Sequence, residues 1–546
     1  MQVTESDRLQ RVIDAAPLVA AWRAAEQRGP RFMIPGHKGR GAMLSATLAQ
    51  ILAGDQPLYG GLDTPKLSGG LLESAESLAA RAWGGSWCRF STGGSTHANQ
   101  VLALAVGSPG DTVLVARTLH RSTLSGLVLA GLKPAWLPVE IDPRYALTTG
   151  VTATALREGI ATHPEAVAVL LVEPGYTGVQ SAELEEISDL AHRAGMKVVV
   201  DQAWGAHFGF HPDYPANALK LGADAIVMSG HKATLAYTQG AYIVARTERL
   251  DPERLEHCFQ TSATTSPSGT ILASLDANRA VLESPVGAQL LDRLRDDVAA
   301  ARSELRTAGY ELPGPEDFPP GRFDPAKLVI RTARRGSDGL ELEAALAAAG
   351  IAVEMADRAT LIPMIGLTDD GDTLAALTAI LTTQPRAHAP RVVGWDSAWA
   401  LPHSGAQSTS MTPREAFYAP RLAIPLATAV DRISAELVAP YPPGVPFLIP
   451  GERIDAQAVA ALQDCMAAGA RIAYAADPTL ATVLVVDQEE VVGKEPPGPK
   501  GPSGPNEPPG PKGPPGPNEP SGPKEPSGQE NAQDRPITNT SGAMQT

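Results

Sequence analysis

The chain has 546 residues, 43% of them hydrophobic and 19% charged, which excludes a disordered protein and exceeds one ordinary domain. A formal charge of −15 argues against a nucleic-acid partner, because a phosphate backbone needs a basic face. No basic-then-apolar leader opens the sequence, no apolar run reaches bilayer length, and Cys88, Cys258 and Cys465 are too scattered for a disulfide framework, so a cytoplasmic protein without membrane partners is expected.

In chain order, "FSTGGSTHANQ" (residues 90–100) is a Gly/Ser/Thr turn that opens an amphipathic helix. Backbone amides and hydroxyls at a helix start attract anions. The segment lacks the Gly-Lys-Ser/Thr ending of a P-loop and any GxGxxG pattern, so a small phosphate fits better than a nucleotide. From about Gly110 to Arg246, apolar runs alternate with helical patterns, the signature of an α/β fold with a mostly parallel sheet. The runs are "DTVLVAR" (111–117), "AVAVLLVEP" (166–174), "MKVVVD" (196–201) and "ADAIVMS" (223–229). Their unbroken apolar character predicts strands buried on both faces. Between them, "SAELEEISDLAHRAG" (181–195) predicts a helix with Ser181 as N-cap, Glu183 and Glu185 at its positive end and Gly195 as its stop.

After Ser274 a long helical pattern, broken near Pro285, leads into a smaller α+β domain over 286–490. That domain holds strand-like "KLVIRT" (327–332) and "GIAVEMAD" (350–357). In 491–546, Gly stands at nearly every third place of a proline-rich stretch, interrupted by Glu507, Glu519 and Glu525. A triple helix admits only Gly at those places, so this tail reads as extended and disordered.

The chemistry gathers at strand ends. "RTLHRS" (117–122) puts His120 just past a strand, and "VVVDQAWGAHFGF" (198–210) ends a strand on Asp201. A carboxylate there is costly unless paired, and a protonated ring nitrogen would pair it. "SGHK" adds Lys232, where an ammonium partly withdrawn from water loses basicity and becomes a candidate nucleophile. Singly, these read as a capped turn, a core histidine and a surface lysine. Together, phosphate cradle, ring-facing His, carboxylate and lysine are the parts needed to hold pyridoxal 5′-phosphate. His207 and His211 are four apart with Gly209 between them and no carboxylate completing a ligand pattern, so no metal is expected. Cys88 beside Trp87 reads as core packing.

The ordered motifs "FMIPGHKG" (32–39), "EPGYTGV", "DQAWGAHF", "SGHKATLAYTQGA", "QTSATTSPSGTILASLDANR" and "YPPGVPFLIPGE" (441–452) resemble the pyridoxal-phosphate-dependent Orn/Lys/Arg decarboxylases of aspartate-aminotransferase fold. The resemblance is to the short form, without an N-terminal receiver-like wing. It implies a fold-type-I transferase architecture, with an N-terminal segment and cofactor-binding large domain in residues 1–285 followed by the α+β domain. Lys232 would carry the cofactor as a Schiff base, with Ser229 and His231 on its phosphate, which Gly94, Ser95 and Thr96 would cradle. His120 would stack on the ring, Ala203 would lie against the opposite face, and Asp201 would pair with the ring nitrogen.

Members of the family form dimers with sites at the interface, so "TTSPS" (264–268), including Thr265 and Ser266, would reach the phosphate site of a second copy. His37, Lys38 and Glu452 would line the substrate channel, with Glu452 facing the distal cationic group. The implied reaction is α-decarboxylation of lysine, arginine or ornithine to a diamine or agmatine plus CO₂, a step of polyamine biosynthesis. His231 and Lys232 are the implied proton donors to the α-carbon. Two departures stand out: Trp204 replaces the His of many members, a version found in the long acid-stress forms, and Gly269 replaces a usual aromatic. Two other readings use the same residues: an aminotransferase or aldolase, and a non-catalytic cofactor-binding regulatory homologue.

Overall fold

The computed structural model describes residues 4–26, 32–39, 42, 45–58, 70–385, 409–441, 445–467 and 469–488. The tail expected to be disordered, 491–546, and residues 442–444 of the "YPPG" motif lie outside the described residues.

Seven strands form one sheet: β1 (Trp87–Ser91), β2 (Thr112–Ala116), β3 (Lys133–Leu137), β6 (Ala168–Val172), β7 (Lys197–Asp201), β8 (Ala225–Ser229) and β9 (Ala241–Ala245). A hairpin of β4 (Glu140–Asp142) and β5 (Leu147–Gly150) follows β3. The spatial order is β1-β9-β8-β7-β6-β2-β3. Pairing is parallel from β3 through β8, while β9 runs antiparallel to both β8 and β1. All four strands expected from the apolar runs are present and parallel.

Burial on both faces follows from the alternation of side chains along a strand. Ile226 and Met228 of β8 join one core cluster with Leu275 and Val281 of the helix Gly269–Leu282. Ala225 and Val227 join another with Val101 and Leu102 of the helix Gly94–Val106. The parallel strands therefore end along one edge, the place where open α/β sheets bind ligands.

The helix expected over 181–195 spans Leu184–Arg193 and starts later than predicted. Ser181 stands ahead of the helix: its hydroxyl accepts the Glu183 amide (3.2 Å) and donates to the Val151 carbonyl (3.1 Å), while its own amide donates to Glu173 Oε2 (2.7 Å). Gly195 does follow the helix, at φ +78°. The long pattern after Ser274 divides into Gly269–Leu282 and Pro285–Thr307, with Ser284 capping the second helix through the Gly287 amide (3.1 Å). Proline in the first turn removes only an amide that had no helical partner.

Beyond these helices, β10 (Ile330–Arg331), β11 (Met355–Ala356) and β12 (Thr360–Ile362) form a small antiparallel sheet in the order β10-β12-β11. The strand expected from "KLVIRT" is thus only two residues long. Further on, β13 (Arg421–Pro425) pairs with β16 (Thr482–Val486), and β14 (Ala439–Tyr441) with β15 (Arg471–Ala473). No helix of the described residues is long and apolar enough to cross a membrane.

Candidate active site

A cavity of about 380 Å³ lies at the C-terminal ends of the parallel strands. At one end are Gly93, Gly94, Ser95 and Thr96, the start of the helix Gly94–Val106. Gly94 adopts φ +72°, and a Cβ there would meet nothing closer than 3.9 Å, so backbone conformation rather than space selects glycine. Ser95 Oγ lies 2.7 Å from Ser229 Oγ at the end of β8, which brings two hydroxyls to the same anion-binding end. His231 also lines the cavity, and its Nδ1 sits 3.0 Å from the Gly240 carbonyl. A carbonyl only accepts, so Nδ1 carries a proton and Nε2 is left for other partners.

Asp201 ends β7 and is 5% exposed. Its Oδ1 accepts the Ala203 amide (3.0 Å) and its Oδ2 the Asn99 amide nitrogen (2.7 Å). Asn99 Nδ2 also donates to Ser122 Oγ (2.8 Å), which lies 2.7 Å from His120 Nδ1. Because His120 Nδ1 accepts the Ser122 amide at 3.2 Å, that nitrogen holds a lone pair. Burial lowers the His120 pKa, aided by Lys232 and Arg121 against the pull of Asp201. A neutral imidazole is thus tethered to the carboxylate through two intermediate side chains. Asn99 and Ser122 were not singled out from sequence. The available signal was that Asn99 falls one helical turn after Ser95, on the same face.

Lys232 enters just after β8, with its Nζ 4.1 Å from the centre of the Trp204 ring. Burial lowers its pKa, while Asp201 and Glu354 act in the opposite sense. A second lysine, unmarked in the sequence, stands close by: Lys327 Nζ is 4.0 Å from the same ring. Burial pushes Lys327 down to about 8, helped by Lys232 and resisted by Asp324 and Glu354. Trp204 meets Tyr176 edge-on at 5.0 Å, and Tyr176 lies 6.5 Å from Tyr441, so aromatic rings wall one side. Ala203 and His120 complete the lining near Asp201.

Other expected residues lie elsewhere in the single chain. Thr265 and Ser266 are exposed and outside the cavity lining, with the Ser266 amide on Thr264 Oγ1 (3.3 Å). His37 Nε2 contacts Asp55 at 3.0 Å, and Lys38 donates to the Met33 carbonyl. Glu452 is 5% exposed and paired with Arg117, whose Nη2 meets its Oε2 at 2.9 Å. His207 and His211 take separate carboxylates, Asp324 at 3.2 Å and Asp292 at 3.1 Å. Arg295 already supplies a cation to Asp213 and Asp292 beside His211.

Comparison with known proteins places the site in a lineage. Residues 17–312 match the family described as Orn/Lys/Arg decarboxylase, major domain, and 402–471 match its C-terminal domain. An arginine decarboxylase of Halalkalibacterium halodurans is 31% identical over 493 residues, covering 88% of this chain and 99% of the relative. An arginine decarboxylase of Bacillus subtilis is 31% identical over 500 residues, covering 87% and 99%. The solved structure of lysine decarboxylase A from Pseudomonas aeruginosa superposes with a TM-score of 0.73 at 19% identity, covering 88% of this chain and 82% of that one. That likeness shows the fold expected from the sequence. With both family segments matched in order around the cavity, the chain belongs to the Orn/Lys/Arg decarboxylase family.

Proposed function

We propose that the cavity holds pyridoxal 5′-phosphate and that the chain removes the α-carboxylate of a basic L-amino acid, with arginine as the first substrate to test. The supporting observation is the convergence of the Lys232 amine, the Asp201 carboxylate and the Gly94–Thr96 helix start on one cavity. The residues fit the group: an amine for its aldehyde, a carboxylate for its ring nitrogen, hydroxyls and amides for its phosphate. When bound, the cofactor supplies an electron sink for the bond that breaks.

The chain's own contribution follows from the geometry. Burial lowers the basicity of Lys232, so a larger fraction of its amine is neutral and nucleophilic. Asn99 and the Ala203 amide hold both oxygens of Asp201, fixing the orientation of the carboxylate that would face the ring nitrogen. His120, tethered through Ser122, presents a neutral ring to the cavity. Tyr176, Trp204 and Tyr441 wall one side with aromatic rings, whose low polarity strengthens these electrostatic contacts. The α-carbon would take its proton from the Lys232 ammonium, or from His231 when that ring is protonated on both nitrogens.

Arginine is favoured because relatives 31% identical over most of this chain carry the name arginine decarboxylase, whereas relatives named lysine decarboxylase are 24% identical. The charge of −15 would concentrate any cationic substrate. We further propose a homodimer in which Thr265 and Ser266 serve the site of a second copy, in keeping with their exposure, while His37 and Lys38 line the substrate channel. Lys232 is the one Lys or Arg among the described lining residues, and Lys327, the second cation beside the Trp204 ring, is not among them, which disfavours an aminotransferase that must hold a keto-acid carboxylate. The test is CO₂ and amine release from arginine, lysine and ornithine in parallel, beside keto-acid formation. Full turnover by Lys232→Ala, or keto acid without CO₂, would overturn the proposal.

A further inference from the structure

Arg117 follows β2 and immediately precedes Thr118, Leu119 and His120, three residues of the cavity wall. Its guanidinium points to the C-terminal part of the chain. Nε donates to the Pro446 carbonyl (3.2 Å), and Nη2 donates to the Phe447 carbonyl (3.3 Å) and to Glu452 Oε2 (2.9 Å). Nη1 donates to Glu452 Oε1. The Ile449 amide adds a bond to Glu452 Oε2 (3.2 Å), and the guanidinium carbon lies 5.5 Å from the Trp136 ring. Arg117 is 4% exposed and Glu452 5%.

The segment held this way carries Val445, which lines the cavity next to Tyr441. A two-pronged pair fixes orientation as well as distance, which a lysine could not reproduce. Glu452 accepts three hydrogen bonds on its two oxygens and is not among the described cavity-lining residues, so the carboxylate is engaged with Arg117 rather than turned to the cavity.

We infer that Arg117 and Glu452 form a positioning clamp, which ties the Val445–Glu452 segment to the end of β2 and sets the wall opposite His120, rather than Glu452 meeting the substrate's distal cation. The KM and quenching readouts below rest on the proposed function; the thermal midpoint does not.

Full-length Arg117→Met, Glu452→Met, the double variant and the milder Arg117→Lys are compared with the parent protein. Thermal midpoint, iodide quenching of bound-cofactor fluorescence, and kcat and KM for arginine are measured. Either single methionine leaves one buried charge alone, so each should lower the midpoint by about 5 °C or more, while the double variant should recover most of that loss. Both singles and Arg117→Lys should raise KM about tenfold with a smaller effect on kcat, and should speed iodide quenching as the wall loosens.

Direct substrate anchoring would show instead as a raised KM in Glu452→Met alone, with Arg117→Met and Arg117→Lys near the parent. That result, or variants with altered midpoints but parental KM and quenching, would overturn the clamp. If methionine variants fail to fold, Arg117→Lys still decides through KM and quenching. If the parent protein turns over none of the three amino acids, the functional reading fails, yet the midpoint coupling of the single and double variants still tests the clamp.

Discussion

Lys232 and Lys327 share one aromatic surface: their ammonium nitrogens lie 4.1 Å and 4.0 Å from the centre of the Trp204 ring. The two nitrogens are therefore no further apart than the sum of those distances. Lys232 disfavours protonation of Lys327, in the same direction as burial. The indole offers each cation a favourable face.

Lys327→Met tests this arrangement through stability. The folded-state pKa of Lys327, about 8, lies below its ordinary 10.5. Below that window both states are protonated and the fold bears the cost of a buried ammonium. As pH rises through 8 toward 10.5 the folded protein sheds its proton first, so stability gains. The parent's stability relative to Lys327→Met should rise by on the order of 3 kcal/mol between pH 7 and 10. An unchanged difference in denaturant unfolding at the two pH values would count against the buried-cation account.

Asn99 is the shared donor between Asp201 and Ser122. Asn99→Ala removes one charge-assisted hydrogen bond from a buried carboxylate and should lower kcat roughly 10- to 100-fold, with a stability loss of about 1–3 kcal/mol. Asn99→Asp sets a carboxylate against Asp201 and should be worse. Steady-state decarboxylation assays on both variants check the order, and parental kcat in Asn99→Ala would remove the tether from the mechanism.

At Gly94 the backbone conformation, φ +72°, is the constraint. Gly94→Ala should cost about 1–2 kcal/mol of stability and weaken cofactor retention, whereas Gly94→Asn should cost less because asparagine tolerates this region. Denaturant unfolding combined with cofactor titration measures both. Equal cost for the two would point to a steric cause.

Glu173, at the end of β6, accepts the Ser181 amide at 2.7 Å, and burial pushes its pKa up to about 8. Between its ordinary 4.5 and 8 the folded state keeps a proton that the unfolded state loses, so stability falls as pH rises. Glu173→Gln copies the neutral form. Its stability relative to the parent should be greater at pH 8.5 than at pH 5, as read from urea midpoints; the reverse order would show that the carboxyl ionises freely in the fold.

The sequence by itself determined the elements whose information is local. Unbroken apolar runs specify β2, β6, β7 and β8, and with them a mostly parallel sheet whose strand ends carry Asp201 and Lys232. The glycine turn at Gly94 and the split at Pro285 are equally local, since each depends on the conformations open to one residue. The strand β1 escaped because Arg89 interrupts it; the fold reconciles that charge with Glu76 at 3.2 Å and Glu256 at 2.7 Å. Tertiary structure alone decided the rest. Asn99 and Asp201 meet across 102 positions, and Arg117 reaches Glu452 across 335. No periodicity encodes such distances: a side chain's partner is set by which elements the core packs together, so one carboxylate was left facing the cavity and another was bound to an arginine.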